Sequence, residues 1–413
     1  MTLPLIKKVN PKYILIFILS LTLFLRLYNL DYPNKYVFDE VYHAFTAKEY
    51  LAGHREAWEW WNTPPPGVAY EWTHPPLAKE LMAASMYIFQ TEDAWSYRLP
   101  GVFLGVLSVY LVYLLGIKLL ANQDAALIAA FVFSLDGLTF VQSRTGMNDI
   151  YYITFILTSL LLLLNKKFIP SAIFLGLALA SKWASIYGYI ILIPILVLSR
   201  QYRKIPFFFI IPVAIYLISY TPFFLVHAPE QFIWLQQQMW WYHTGLKATH
   251  AYSSPWWSWP LNLYPIWYFV DYQKENIANI FASGNPALFW TGTGAIALSI
   301  VEIFRAKSRS YFKKMRGLVI VSLGFFAFWL PWAASPRIMF LYHFSPSVPF
   351  LSLALGYQLQ KITHDKKGRQ LFFALLFLII FSFILLFPFL IGIPIPRNFV
   401  KLFFMFNLSK NPF

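Results

Sequence analysis

Asp39 and Glu40 stand side by side just beyond the first long apolar run, at the start of a polar stretch covering 31–96. Thirty-four residues after Glu40 the same stretch reaches His74-Pro75-Pro76-Leu77-Ala78-Lys79. Most of the remaining chain is greasy, so an acid pair and a His/Lys motif sharing one loop point to chemistry at a membrane face. A positioned carboxylate is suited to general-base work. A helix opening at Pro75, where proline is tolerated, would aim free amides and the Lys79 ammonium at an anion such as phosphate. The plainer alternatives are two solvated acids among the ten in this loop, and an ordinary helix start.

The elements that must position these residues are membrane helices. The chain is 58% hydrophobic and 12% charged, with a mean hydropathy of +0.54, whereas soluble domains carry about 25% charged residues. Crossing a bilayer takes roughly 17–25 apolar residues. Eleven runs are read as spans: about 13–30, 97–120, 123–142, 149–164, 168–182, 184–199, 205–225, 286–304, 317–333, 341–358 and 371–390. Ser181-Lys182-Trp183 interrupts one long run, so 168–199 reads as one kinked span or as two.

The net charge of +15 is a topology signal and not a nucleic-acid footprint. Basic residues mark cytoplasmic loops. With the N-terminus inside, Lys7, Lys8, Lys12, Lys166, Lys167, Arg200, Arg203 and Lys204 fall on one side. So do Arg305, Lys307, Arg309, Lys313, Lys314, Arg316, Lys361, Lys366, Lys367 and Arg369, bringing the total to 18 of the 33 basic residues. The loop 31–96, a second long loop 226–285 and the C-terminus, with its Asn407-Leu408-Ser409 sequon, then lie outside. The first span is too long for a signal peptide's apolar region and lacks small residues for cleavage, so it reads as a retained anchor. With no cysteine, disulfides and thiolate catalysis are excluded.

Without an internal repeat or linker, 1–413 reads as a single membrane domain, with no soluble domain after the last span. Pro64-Pro65-Pro66-Gly67 breaks the first loop, and 40–52 and 77–90 have the composition of helices lying at the interface. The second loop carries His243, His250 and the run Trp256-Trp257-Ser258-Trp259-Pro260, residues suited to interfacial anchoring or to stacking on a ligand. Four cations, Arg98, Arg144, Lys182 and Arg337, fall at external span ends, where positive charge is otherwise sparse. For each taken alone, a snorkelling helix-end residue is the commoner explanation. Asp136 lies within a span, where an ionisable group is costly and is usually paired or functional; Asp149 begins the next span.

Phe38-Asp39-Glu40-Val41-Tyr42-His43, the His74–Lys79 motif, FSLDGLTFVQSRTGMND from Phe133 to Asp149, Ser254–Pro260 and Arg337–Phe350 resemble, in order, motifs of the protein O-mannosyltransferases. These belong to glycosyltransferase family 39 of the GT-C superfamily, and the resemblance is to prokaryotic-type members; Ala78 stands where many relatives have Gly. It implies an all-α membrane fold of about eleven helices with two long external loops. It also implies a lipid-phosphate-sugar glycosyltransferase of the external cell-membrane face. Its donor would be a polyprenyl- or dolichyl-phosphate sugar, with mannose expected, and its acceptor a Ser/Thr hydroxyl of protein or a glycan. By resemblance Asp39 is the base and Glu40 assists it. Arg98, Arg144, Lys182, Lys79, His74, Arg337 and His343 face the donor phosphate, and Asp149, His243 and Trp257 support the acceptor. Membrane lipids are the other partners. Two external acids can also hold a divalent cation, but no His/Asp spacing demands a metal. The rival readings are an aminoarabinose-transferase-like enzyme acting on lipid or glycan, and a transporter. The gathering of polar residues on loops at one face, with no inverted repeat, favours an enzyme.

Overall fold

The computed structural model describes residues 10–305 and 315–404. Lys7, Lys8, Lys307, Arg309, Lys313, Lys314 and the sequon at Asn407 lie outside the described residues. In chain order the helices are α1 (Pro11–Leu27), α2 (Glu40–Ala52), α3 (Leu77–Phe89), α4 (Ala94–Leu120), α5 (Gln123–Ser134), α6 (Gly137–Gln142), α7 (Asp149–Leu164), α8 (Phe168–Leu179) and α9 (Tyr189–Leu198). Then come α10 (Phe207–Ser219), α11 (Thr221–Val226), α12 (Pro229–Thr244), α13 (Pro286–Phe304), α14 (Arg316–Trp329), α15 (Val348–Ile362), α16 (Lys366–Ile391) and α17 (Arg397–Phe404). Among the described residues, Ala94–Leu120, Tyr202–Ser219, Pro286–Phe304, Arg316–Ala334 and Lys366–Ile391 are long and apolar enough to cross a membrane, and shorter apolar helices pack among them.

Local chemistry sets many boundaries. Asn10, Asn122, Asn285 and Asp365 cap α1, α5, α13 and α16 by accepting a hydrogen bond from a first-turn amide, which satisfies one of the free donors every helix start exposes. Asp136 does the same for α6, accepting from the Thr139 amide and hydroxyl at 2.7 Å each. A structural duty thus accounts for this acid, and it divides the run 123–142 into two helices. The run 168–199 folds back on itself. Lys182 reaches Asp149 at the start of α7, while Lys204 lies over the Phe168 ring at the start of α8. The two segments are therefore antiparallel legs, and Ala180–Lys182 is the bend between them.

The second long loop contains more than interfacial helix. After α12, β1 (Ile266–Tyr272) and β2 (Asn276–Ala282) form an antiparallel hairpin, which β3 (Pro394–Pro396) joins at the far edge of β2. The hairpin's inner face, with Ile266 and Tyr268, joins the main core; its outer face, with Trp267 and Phe281, packs on Phe389 and Ile395.

One ion pair ties the first loop to the helices. Glu40 is fully buried, and its carboxylate accepts from Arg98 Nε and Nη2, both at 2.8 Å. It also accepts from the amides of Val37 and Gly146. Arg98 donates further to the carbonyls of Leu30 and Lys35. The pair thus joins α2, α4, the end of the first span's linker and the turn before α7. Removing one partner of such a pair strands the other's charge, at a cost of about 3–5 kcal/mol. Arg98→Ala is therefore expected to lower the melting temperature sharply in detergent. Arg98→Lys should recover only part of the loss, since an ammonium cannot reproduce the planar fork. An unchanged melting temperature for Arg98→Ala would show that the pair does not hold the loop.

Candidate active site

Asp39 is the residue before α2, one step outside the Glu40 lock, and it is left partly exposed. Its carboxylate senses Glu71, Lys182, Asp149 and Arg337, so it stands where the first loop, α7, the 180–182 bend and the 335–340 segment converge. Burial first, and then repulsion by Glu71, push its pKa up to about 7 against the pull of Lys182 and Arg337. A carboxylate that titrates near the working pH is well matched to general-base duty.

The cations divide into those already engaged and those with bonds to spare. Arg144 is buried and donates to the carbonyls of Leu25, Arg26, Tyr28 and Asn29, closing the C-terminal end of α1. Lys79 is fully buried and donates to the carbonyls of Glu71 (2.8 Å) and His74 (2.9 Å), folding the loop over the start of α3. Arg98 and Arg144 thus place donors on the protein's own acceptors, as Lys79 does with two of its three protons, and all three brace the site. Glu40 is engaged in the same way, by Arg98 and by two main-chain amides. Lys182 grips both oxygens of Asp149 at 2.9 Å, which leaves one of its three protons uncommitted. Asp149 is accordingly held as that cation's counter-ion.

Arg337 has the most to offer. Its Nη1 donates to His243 Nδ1 at 2.6 Å and its charge lies over the Tyr242 ring, but its buried Nε has no partner among the described residues. His243 in turn donates from Nε2 to the Thr73 carbonyl at 2.8 Å. An imidazole that accepts at Nδ1 and donates at Nε2 is neutral, and burial and Arg337 agree, pushing its pKa down to about 4. His243 is thus an orienter of Arg337. His74, with its ring 5.2 Å from that of His243, is also kept neutral, by burial and by Lys182.

Two further expected residues make contacts of their own. His343 Nδ1 is engaged by its own turn, 3.1 Å from the nitrogen and 2.9 Å from the oxygen of Phe340, and its ring packs on Trp332. Through Nδ1 it braces that turn. Trp257 is exposed, while its neighbours Trp256 and Trp259 pack inward on Trp329 and Trp332.

Several residues of the site were not singled out by the sequence. Glu71 is buried, 3.9 Å from His43 Nδ1 and 3.8 Å from His74 Nδ1, and accepts from the Thr73 hydroxyl. Burial pushes its pKa up, but His43, Lys79 and Thr73 outweigh that and hold it below the usual carboxylate range. Its place three residues before His74 was the one clue. Phe38, Tyr268 and Tyr342 wall the site, Phe38 stacking on Tyr268 with centroids 4.2 Å apart. Among the described residues no group of three or more His, Asp or Glu side chains is arranged to hold a metal ion.

A many-helix membrane fold that gathers one poised carboxylate and neighbouring cations at a single end defines the class of lipid-linked-sugar transferases. The family described as dolichyl-phosphate-mannose-protein mannosyltransferase matches residues 16–242, and the C-terminal four-helix region of protein-O-mannosyltransferase matches 228–407. The chain belongs to the protein O-mannosyltransferase family. It is 24% identical to a polyprenol-phosphate-mannose–protein mannosyltransferase of Mycobacterium tuberculosis, over 92% of this chain and 87% of the relative. It is 26% identical to the Corynebacterium glutamicum protein of the same description, over 68% and 70%. The fold is similar to the Saccharomyces cerevisiae Pmt1-Pmt2 complex bound to the sugar donor (TM-score 0.78, 15% identity, 95% of this chain and 92% of that one). It is also similar to ArnT from Cupriavidus metallidurans bound to undecaprenyl phosphate (0.62, 14%, 87% and 62%). The protein is a multi-pass membrane glycosyltransferase that moves a sugar from a polyprenyl- or dolichyl-phosphate donor to a protein hydroxyl.

The raised pKa of Asp39 makes a two-sided prediction. As a base it must be unprotonated, so kcat/KM should rise with pH through an apparent pKa near 7. The folded protein keeps this proton up to about pH 7, whereas the unfolded chain releases it near 3.8. Asp39's contribution to stability is therefore present below the lower value and lost as pH rises to the higher. Asp39→Asn should remove this stability trend, measured as melting temperature against pH. An acid limb below pH 5 would contradict the assignment.

Proposed function

We propose that the transfer is one inverting displacement at the external membrane face, with mannose as the sugar and a Ser/Thr hydroxyl as acceptor. The acceptor oxygen attacks the anomeric carbon and its proton passes to Asp39. The bond from that carbon to the phosphate oxygen breaks, and the electron pair leaves with the polyprenyl phosphate. The phosphate gains negative charge as it departs, and Arg337 and the free proton of Lys182 are the donors placed to stabilise it. His243 keeps Arg337 in position, and Arg98, Arg144 and Lys79 hold the walls. The observation that carries this reading is the convergence on Asp39 of two cations with unspent hydrogen bonds.

The same reading has the N-terminus cytoplasmic, about eleven spans, and 31–96, 226–285 and the C-terminus outside. The support is the segregation of basic residues to one set of loops. In this cysteine-free chain the orientation is checked by labelling intact cells with an impermeant thiol reagent. Ser253→Cys should react and Ser199→Cys should not; the reverse pattern would overturn the orientation.

Asp39→Asn is expected to keep donor binding while lowering turnover by about 10²-fold or more, the scale of a positioned base. Arg337→Ala should lower turnover more than donor affinity, because its partner charge grows in the transition state. Near-normal turnover in folded Asp39→Asn would remove Asp39 from the mechanism.

A further inference from the structure

With one exception, the non-glycine residues of positive φ among the described residues follow the end of a helix, as Gln90 and Ala121 do. A left-handed residue is common there. The exception is Phe38, with a φ of 48°, which comes before a helix, α2. For a bulky side chain that backbone is an outlier, and it persists only where the surroundings enforce it. The strained residue is the immediate neighbour of Asp39.

Both ends of the turn that holds Phe38 are pinned. The Glu40 amide donates to the Val37 carbonyl at 3.0 Å, and the Val37 amide donates at 2.9 Å to the Glu40 carboxylate that Arg98 grips. Asp39 lies inside this turn at φ −72° and ψ 0°, and its carbonyl accepts from the amides of Tyr42 and His43. The Phe38 ring is held too. It stacks on Tyr268, with centroids 4.2 Å apart and planes 6° from parallel, and meets Tyr342 edge-on at 6.2 Å. In the hairpin Trp267 pairs with Phe281 and Phe269 with Ile280, so Tyr268 is the extra residue of a β-bulge. Bulges are a common means of re-aiming a side chain next to an active site. Ring pairs of this geometry stabilise beyond the area they bury, which offsets the strain at Phe38.

We propose that Phe38 is a positioning residue: its left-handed backbone, held by the rings of Tyr268 and Tyr342, sets the direction in which Asp39 presents its carboxylate. With both ends of the turn fixed, a relaxed backbone at negative φ would swing the ring off Tyr268 and re-aim the residue that follows. The hairpin of the second long loop thereby bears on a carboxylate of the first. The role depends on Asp39 being the base, as proposed above, and adds what aims it.

The test uses the full chain as Phe38→Gly, Phe38→Ala and Phe38→Tyr, with polyprenyl-phosphate mannose and a Ser/Thr peptide as substrates. Glycine takes a positive φ without steric cost and alanine does not. Phe38→Gly should therefore melt above Phe38→Ala, the reverse of the order at an ordinary position. Both should lower kcat by about ten- to a hundredfold with donor KM little changed, the scale of a catalytic group misplaced by about 1 Å. Phe38→Tyr keeps the stacking ring and should retain most of the turnover. Adding Phe38→Gly to Asp39→Asn should cost nothing further, because the group being aimed is already gone. Any of four results would overturn the proposal: Phe38→Ala as stable as Phe38→Gly, full turnover in Phe38→Gly, Phe38→Tyr as impaired as Phe38→Gly, or a further loss in the double variant. Near-normal turnover in Asp39→Asn alone would instead mark failure of the base assignment.

Discussion

The architecture depends on the cost of burying charge. An ionised group taken out of water must be paired and hydrogen-bonded, or it destabilises the fold by several kcal/mol. This protein gathers acids and cations where apolar helices end, and nearly every one is matched to a named partner. Glu40 with Arg98 is the tightest match, carrying two charge-assisted bonds between its members and four more to the main chain. Arg144 on the end of α1 and Lys182 on Asp149 follow the same rule. Because the lock consumes Glu40, the adjacent Asp39 is held at a fixed place with no cation of its own. That leaves it the carboxylate to which the proposed mechanism gives the base role.

The same accounting separates residues that hold from residues that act. A cation whose donors all end on protein acceptors cannot respond to charge developing on a leaving group. One with an idle N–H can. Arg337 meets that description, and the neutral tautomer of His243 orients it without cancelling its charge. In the proposed mechanism, donor recognition and proton transfer thus depend on different side chains, joined by the shared frame of the first loop.

Much of this was legible in the sequence. The acid pair, the His74–Lys79 motif and the external-end cations were found by their place relative to apolar runs, and 40–52 and 77–90 form the expected helices. Partners were not legible. That Arg98 faces Glu40 across 58 residues, or that Arg144 meets the carbonyls of α1, depends on helix packing and on backbone atoms that no residue type reveals. The hairpin was missed for another reason. Ile266–Val270 is a run of aromatic and β-branched residues with strand character, but beside so many tryptophans it reads equally as an interfacial anchor. Glu71 was hidden among ten acids of one loop, its place three residues before His74 being the one clue.

The most direct measurement is an experimental structure of the Asp39→Asn protein with polyprenyl-phosphate mannose bound. The account predicts the phosphate within hydrogen-bonding distance of Arg337, the anomeric carbon facing residue 39, and the Glu40–Arg98 pair intact. A phosphate seated against Arg98 or Arg144, with that pair opened to receive it, would contradict the account.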